Sequence, residues 1–480
     1  MQIILLSGGS GRRLWPLSNE VRSKQFIKMF RDERGELESM VQRVYRQIRT
    51  ACGEDASITI ATSKTQVSSI RNQLSDNVNV CVEPARRDTW PAVALAVSYL
   101  SEERKVSGEE PVIVCPVDPY VKTDYFACFP KLAGMVETDR WQLNLMGVVP
   151  TYPSEKYGYL VPEERDAEIS KVRTYAEKPD LKRAEGFLEE GALWNCGIFA
   201  FRLRYMLEKV RELMPFPDYR TLRDRYTECE KISFDYAVGE KATSAGVLRY
   251  DGDWKDIGSW NTFAEEMHEQ IIGKGELDPT SENTHIVNEL NLPILGMGLK
   301  NVIIAASNDG ILVADKHQSS YMKPYVEKMD EQIRFAEKSW GSFTVLDIGD
   351  QALTIRILLL PGHRLHYHAH EHRREIWNII EGEGAVVIDG VKRIVRSGDV
   401  VELPIGCKHT LCARTALKVI EVQIGDEIDV HDKTKYEEPF TEEDLWKPDA
   451  VRGIEDANHG IGAVRTASDD NMSVMQEGLS

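Results

Sequence analysis

Five short apolar runs recur at intervals in the N-terminal part of the chain: IILLS at 3–7, ITIAT at 58–62, VNVCVEP at 78–84, PVIVCPVDP at 111–119 and LNLMGVVP at 143–150. Between them lie amphipathic stretches, of which 89–101 reads as a helix, and 180–190 further along reads as another. Strands that alternate with helices predict an α/β fold, a Rossmann-like and mostly parallel sheet with crossover helices. The pattern persists to about residue 270, where GKGELDPTSENTH marks a boundary by its glycine, proline and asparagine content.

Beyond that boundary the text changes character. LKNVIIAASNDGILVADK at 299–316 holds two apolar runs joined by Asn308-Asp309-Gly310, a hairpin signal. A helical pattern follows near 325–338, and 342–425 is dense in short β-type runs separated by glycine turns, which predicts a small β-barrel or sandwich. At roughly 100 to 200 residues per domain, the 480 residues divide into a first domain at 1–272, a short β connector at 285–332, a β-barrel at 336–438 and an acidic, mostly disordered tail at 440–480.

Composition narrows the function. A net charge of −18 disfavours a nucleic acid partner, because phosphate neutralisation needs a basic face. Apolar runs such as Ile357 to Leu360 fall far short of the roughly 18 residues of a membrane span, and MQIILLSGGSG has no basic signal-peptide region, so the expected location is the cytoplasm. The eight cysteines include no Cys-x-x-Cys pair and read as reduced thiols rather than a zinc ribbon or disulfide framework.

Directly after the first strand, Gly8, Gly9 and Gly11 precede Arg12 and Arg13. Glycines between a strand and a helix let backbone amides approach a phosphate, although the spacing fits neither the Walker pattern nor Gly-x-Gly-x-x-Gly. The continuation is more specific: Leu14-Trp15-Pro16-Leu17-Ser18, then Lys24-Gln25-Phe26. This resembles the sugar-phosphate nucleotidyltransferases, specifically the mannose-1-phosphate guanylyltransferases.

The resemblance covers about residues 1–335 and implies roles residue by residue. Arg13 and Lys24 would stabilise a triphosphate, while Gly8, Gly9, Gly11, Glu83, Arg87 and Thr89 would bind the nucleotide. Within Glu83 to Ala92, Asp88 and Trp90 depart from the family's Arg-Asn-Thr-Ala. Tyr157-Gly158-Tyr159, Glu177-Lys178-Pro179 and Trp194-Asn195-Cys196-Gly197 resemble the sugar-contacting segments, which implicates Gly158, Tyr159, Glu177, Lys178 and Asn195. Asp118, followed by Pro119 where the family has histidine, and Asp256 in Asp253 to Trp260 would hold Mg²⁺, with Ser233 to Ala237 as support. Nucleotidyl transfer is in-line displacement governed by positioning and charge neutralisation, so two carboxylates on a metal and two cations suffice. Both carboxylates can sit at the carboxyl edge of a parallel sheet.

Five of the eleven histidines, His363, His366, His368, His370 and His372, lie within ten residues. Alternation on a strand puts His368 and His370 on one face. Gly362, His368, His370, Glu375 and Gly382, followed by Gly398, Pro404, Gly406 and His409, have the spacing of the two cupin metal motifs. By that resemblance to the cupins, His368, His370, Glu375 and His409 would make a site for a divalent transition metal or zinc, with the other three histidines at its rim or behind it. Pro361 to Trp377 and Ile420 to Gly425 resemble the type II mannose-6-phosphate isomerase domain. His368 stands where that family has glutamine, and its arginine after Gln423 is missing, which leaves a non-catalytic cupin as the alternative to an isomerase.

The sequence therefore points to a homo-oligomeric enzyme that makes GDP-mannose and pyrophosphate from GTP and mannose 1-phosphate. Another sugar 1-phosphate or base, or a silent sugar-phosphate-binding regulator, are the competing readings.

Overall fold

The computed structural model describes residues 1–446 apart from 9, 10, 20, 55, 76, 77, 217, 268, 330–332, 430 and 431. The chain divides into two compact units, Met1–Glu331 and Gln332 onward. Among the described residues no helix is long and apolar enough to cross a membrane.

The first unit is built on nine strands: β1 Gln2–Leu6, β2 Ser57–Ser63, β3 Asn79–Glu83, β4 Pro111–Pro116, β5 Leu143–Val148, β6 Gly158–Pro162, β7 Ile169–Ala176, β8 Leu193–Arg202 and β9 Ala245–Tyr250. Their order is β3-β2-β1-β4-β8-β5-β9-β7-β6. The first four of that order are parallel, as the alternation of strands with helices predicts, and β1, β2 and β4 are buried along most of their length, as strands covered on both faces must be. The other half is mixed: β8 runs antiparallel to β4, β5 and β6, and β7 antiparallel to β6 and β9. The helices expected at 89–101 and 180–190 are present as Thr89–Glu102 and Leu181–Glu189, each opened by an aspartate whose carboxylate accepts a first-turn N–H.

After this sheet, Ile271–Ile272, His285–Asn288 and Val302–Ser307 pair in parallel, and Val302–Ser307 turns through Asn308-Asp309 into antiparallel Gly310–Asp315. This strip packs back on the N-terminal loop. Ser307 Oγ donates to the Pro16 carbonyl at 2.7 Å, Asn19 Nδ2 donates to Asp309 at 2.7 Å, and Arg22 makes a two-pronged bond to Glu289 with both contacts at 2.8 Å. A Cβ on Gly310 would come within 2.4 Å of the Trp15 ring, so only glycine fits there.

The second unit is an antiparallel barrel of two sheets. One has six strands in the order Phe335–Lys338, Gly341–Ile348, Ala352–Leu359, Leu417–Gly425, Arg373–Glu381, Val400–Leu403. The other has five, in the order Val391–Arg396, Glu383–Ile388, His409–Ala413, His368–Ala369, Thr434–Lys435. Leu359, Trp377, Ile379, Val386, Leu411 and Val419 fill the space between. The helix expected near 325–338 is only Lys323–Val326; Phe335–Lys338 is a strand, because pairing with Gly341–Ile348 supplies a hydrogen-bonded partner that local periodicity does not encode. Within the segment expected as a disordered tail, Glu442–Trp446 forms a helix whose Leu445 is buried beside Tyr367 and Val387; residues 447–480 lie outside the described residues.

Candidate functional site

The carboxyl ends of β1, β3 and β4 converge at one edge of the sheet. β4 delivers Asp118, and the short strand Pro119–Val121 that follows pairs antiparallel with Trp254–Asp256, setting Asp256 opposite Pro119. The position at which the resembled family carries histidine thus supplies the backbone partner for the second carboxylate. Lys24 bridges the two: its Nζ donates to Asp118 Oδ2 at 3.1 Å and to the Ile257 carbonyl at 3.0 Å, and lies 3.9 Å from Asp256 Oδ1. Below it lies an apolar cavity lined by Leu14, Met29, Phe30, Met40 and Phe263, which weakens screening of this charge cluster. Burial pushes the Asp256 carboxyl above its ordinary value, Lys24 pulls it back, and Asp118 pushes it up again. Arg13 reaches the same place: a Cβ on Gly258 would lie 3.6 Å from its guanidinium and 3.6 Å from both Asp256 oxygens.

Gly11 opens the helical turn Gly11–Leu14 that carries Arg13, and Gly9 lies outside the described residues. The turn is held from behind, since Leu14 N donates to Ser18 Oγ at 3.1 Å and Trp260 Nε1 to the Trp15 carbonyl at 2.8 Å. Gly8 faces Glu83 at the end of β3, with 3.9 Å between its Cβ position and the carboxylate. Burial raises the Glu83 carboxyl to about 7, against a hydrogen bond from the Tyr226 hydroxyl at 3.0 Å. The Arg87 guanidinium donates to the Thr227 carbonyl, and Thr89 Oγ1 accepts from Phe234 N at 2.8 Å. Thr89 therefore ties the helix start to the Ser233–Ala237 segment. Asp88, at φ 70°, holds a left-handed conformation there.

A second polar group lies where β6, β7 and β8 meet. β8 bulges between Asn195 and Phe199, with Gly197 at φ 77°, and this re-aims Asn195. Asn195 Nδ2 donates to Tyr175 Oη at 2.6 Å and Asp235 Oδ1 at 2.8 Å, while Tyr175 donates to the same Asp235 oxygen. A Cβ on Gly158 would collide with Glu177 Oε2 at 2.4 Å, so that glycine leaves room for the carboxylate. Lys178 pairs with Glu177 at 2.7 Å, and burial raises the Glu177 carboxyl, with Asp235 adding to the effect. Tyr159 is not in this group: its ring is fully buried, and its hydroxyl accepts from Ser154 N at 2.8 Å. Sequence reasoning missed Tyr175, although it stands two residues before Glu177, a spacing that puts both on one face of an extended chain.

In the barrel, the ring nitrogens of His368, His370 and His409 come within 4.8 Å of one another. Each Nδ1 faces a backbone carbonyl: His368 that of His366 at 2.5 Å, His409 that of Cys407 at 3.0 Å, and His370 that of Asp432. A ring that donates from Nδ1 presents the Nε2 lone pair to the common centre. Glu375 enters the same centre, Oε1 at 3.0 Å from His370 Nε2 and Oε2 at 3.5 Å from His409 Nε2. Burial pushes the His368 imidazole down to about 2, which keeps it neutral, and His409 Nε2 is buried without a hydrogen-bond partner. Three imidazole nitrogens and a carboxylate that converge at this separation form a donor set that fits a divalent metal. Arg373, which the motifs did not single out, donates to Glu375 and to His370 Nε2, both at 3.2 Å. Trp377 Nε1 donates to Glu375 Oε2 at 3.2 Å.

Comparison with known proteins agrees with this division. A nucleotidyl transferase family model matches residues 2–271, and a mannose-6-phosphate isomerase C-terminal model matches residues 327–438. The mannose-1-phosphate guanylyltransferase ManC of Salmonella typhimurium is 28% identical over 474 residues, which covers 91% of this chain and 97% of that protein. The alginate biosynthesis protein AlgA of Pseudomonas putida is 29% identical over 479 residues, covering 91% and 96%. The crystal structure of a mannose-1-phosphate geranyltransferase from Thermus thermophilus is similar at a TM-score of 0.58 and 26% identity, across 68% of this chain and 98% of that one. With more than half of its length matched by that first model, the chain belongs to the nucleotidyl transferase family and carries a mannose-6-phosphate isomerase C-terminal domain behind it.

Proposed function

We propose that the chain is a mannose-1-phosphate guanylyltransferase, joining GTP and mannose 1-phosphate into GDP-mannose with release of pyrophosphate. The observation that carries this reading is the meeting of Lys24, Asp118, Asp256 and Arg13 at the sheet edge under the glycine loop. A phosphate oxygen of the sugar phosphate attacks the α-phosphorus of the nucleotide in line, the bond from that phosphorus to the β-bridging oxygen breaks, and pyrophosphate leaves. Asp118 and Asp256 would hold Mg²⁺, which supplies charge neutralisation at the phosphates. Lys24 and Arg13 place two further positive charges at the same edge, and glycine at positions 8, 9 and 11 would leave room for phosphate oxygens beside the backbone. Glu83, Arg87 and Thr89 border the nucleotide side. Glu177, Lys178, Asn195 and the backbone at Gly158 and Tyr159 border the sugar side, with Asn195 held in place by Tyr175 and Asp235. The names of the relatives support the base and the sugar; a grid of nucleoside triphosphates against sugar 1-phosphates, read by pyrophosphate release, tests both. No turnover with GTP and mannose 1-phosphate would refute the assignment.

For the barrel we propose a divalent metal, zinc or a transition ion, held by His368, His370, Glu375 and His409. The C-terminal family match supports mannose 6-phosphate as its substrate, with the metal polarising sugar oxygens during proton transfer between C1 and C2. A coupled mannose-6-phosphate assay decides between that activity and a scaffold role.

A further inference from the structure

The outer partners of the barrel site converge on one residue that no sequence motif contains, Asp432. Its backbone carbonyl accepts the His370 Nδ1 proton from a position 62 residues downstream. Its carboxylate, 6% exposed, accepts from the backbone N–H groups of Glu371 at 2.8 Å and His372 at 3.2 Å, and lies 3.7 Å from the Arg373 guanidinium. His372 Nδ1 stands 3.4 Å from the same carboxylate. The flanking backbone adds two anchors: the Asp429 carbonyl accepts from Arg373 at 2.8 Å, and Thr434–Lys435 pairs with His368–Ala369. One residue thus touches four consecutive positions, 370 to 373, of the segment that presents the ligands.

We propose that Asp432 is a positioning residue for the metal at His368, His370, Glu375 and His409, a proposal that rests on reading this cluster as a metal site. An imidazole can turn about its own axis and present either nitrogen; an acceptor fixed at Nδ1 selects the orientation in which Nε2 faces inward. The Asp432 carboxylate makes charge-assisted bonds to two backbone N–H groups of the 370–373 turn. Those bonds hold its own carbonyl over His370. The carboxylate is therefore the clamp and the carbonyl is the contact, so removing the side chain releases the ring even though the carbonyl remains in the chain.

Zn²⁺ affinity of the full chain, measured by competition with a chromophoric chelator, tests this. Wild type binds one tight equivalent that His370→Ala loses. Asp432→Ala weakens that equivalent by about 10- to 100-fold, and Asp432→Asn, which keeps an oxygen acceptor for the turn, falls between the two. Wild-type affinity in both Asp432 variants overturns the proposal. If Asp432→Ala fails to melt cooperatively, Asp432→Asn alone decides. A wild-type chain with no tight equivalent, or one that His370→Ala retains, instead overturns the reading of the cluster as a metal site and takes the proposal with it.

Discussion

The two sites of this chain gather negative charge in opposite ways. At the sheet edge, the Asp118 and Asp256 side chains are 42% and 39% exposed and are bridged by the long side chain of Lys24. In the barrel, the His370, Glu375 and His409 side chains are 2–3% exposed, and the ring nitrogens are fixed by backbone carbonyls. An open carboxylate pair with a displaceable lysine suits a site that takes in a polyphosphate together with its metal. A closed set of buried imidazoles and a carboxylate suits a metal that stays bound between turnovers. The difference lies in what surrounds these groups: exposed surface and a lysine side chain in one, buried backbone in the other.

That contrast can be broken at several points. The largest effect is expected for Asp256→Asn, which should lower the rate of pyrophosphate release by about a hundredfold or more. The thermal midpoint should stay within about 2 °C, because the carboxylate is partly solvated and faces a like charge. A midpoint shift comparable to a core mutation would show that the open site is structural. In the barrel, His370→Ala should abolish one equivalent of bound metal by elemental analysis while changing guanylyl transfer less than about twofold; equal metal content would refute the closed site.

Glu83 supplies a pH test of intermediate size. Its folded-state value, about 7, lies above the ordinary 4.5, so stability is fully present below 4.5 and is lost as pH rises through about 7. Glu83→Gln should flatten that decline, leaving the variant roughly 1 to 3 kcal/mol better off than wild type at pH 8 relative to pH 4.5 by chemical denaturation. Parallel curves would show that burial does not hold the proton on. The smallest effect is expected for Tyr175→Phe. It removes a hydrogen bond to Asn195 and should raise the KM for the sugar phosphate about 2- to 10-fold with little change in kcat. A kcat loss with unchanged KM would place Tyr175 in the chemistry instead.

Much of both sites is legible in the sequence, for a chemical reason. Phosphate approach needs glycines and metal binding needs closely spaced imidazoles, so Gly8, His368 and His370 stand out before any fold is known, whereas Asp118 is picked out only by its place among the motifs of the resembled family. What the text hides is orientation. Tyr159 sits beside Gly158, yet strand alternation sends its ring into the core, where Trp194 and Ala184 surround it. Asp432 is hidden for another reason: it meets His370 through a backbone carbonyl, a group every residue possesses, from 62 positions away. The strand at Phe335–Lys338 is illegible because its cause is its partner strand rather than its own periodicity. The antiparallel half of the main sheet is hidden likewise, since apolar runs reveal burial but not direction.

The strip at Ile271–Asp315 bears on where this protein can be cut. The family match stops at residue 271, yet the N-terminal loop is gripped by Glu289, Ser307 and Asp309 and roofed by Gly310, all outside that match. A fragment trimmed at the family boundary would keep every residue proposed for transfer and lose the hand that holds their loop, baring Trp15 to water. The compact unit that contains both the loop and its support runs on to Glu331, so a cut between residue 271 and Gly310 would separate the loop from the contacts that hold it.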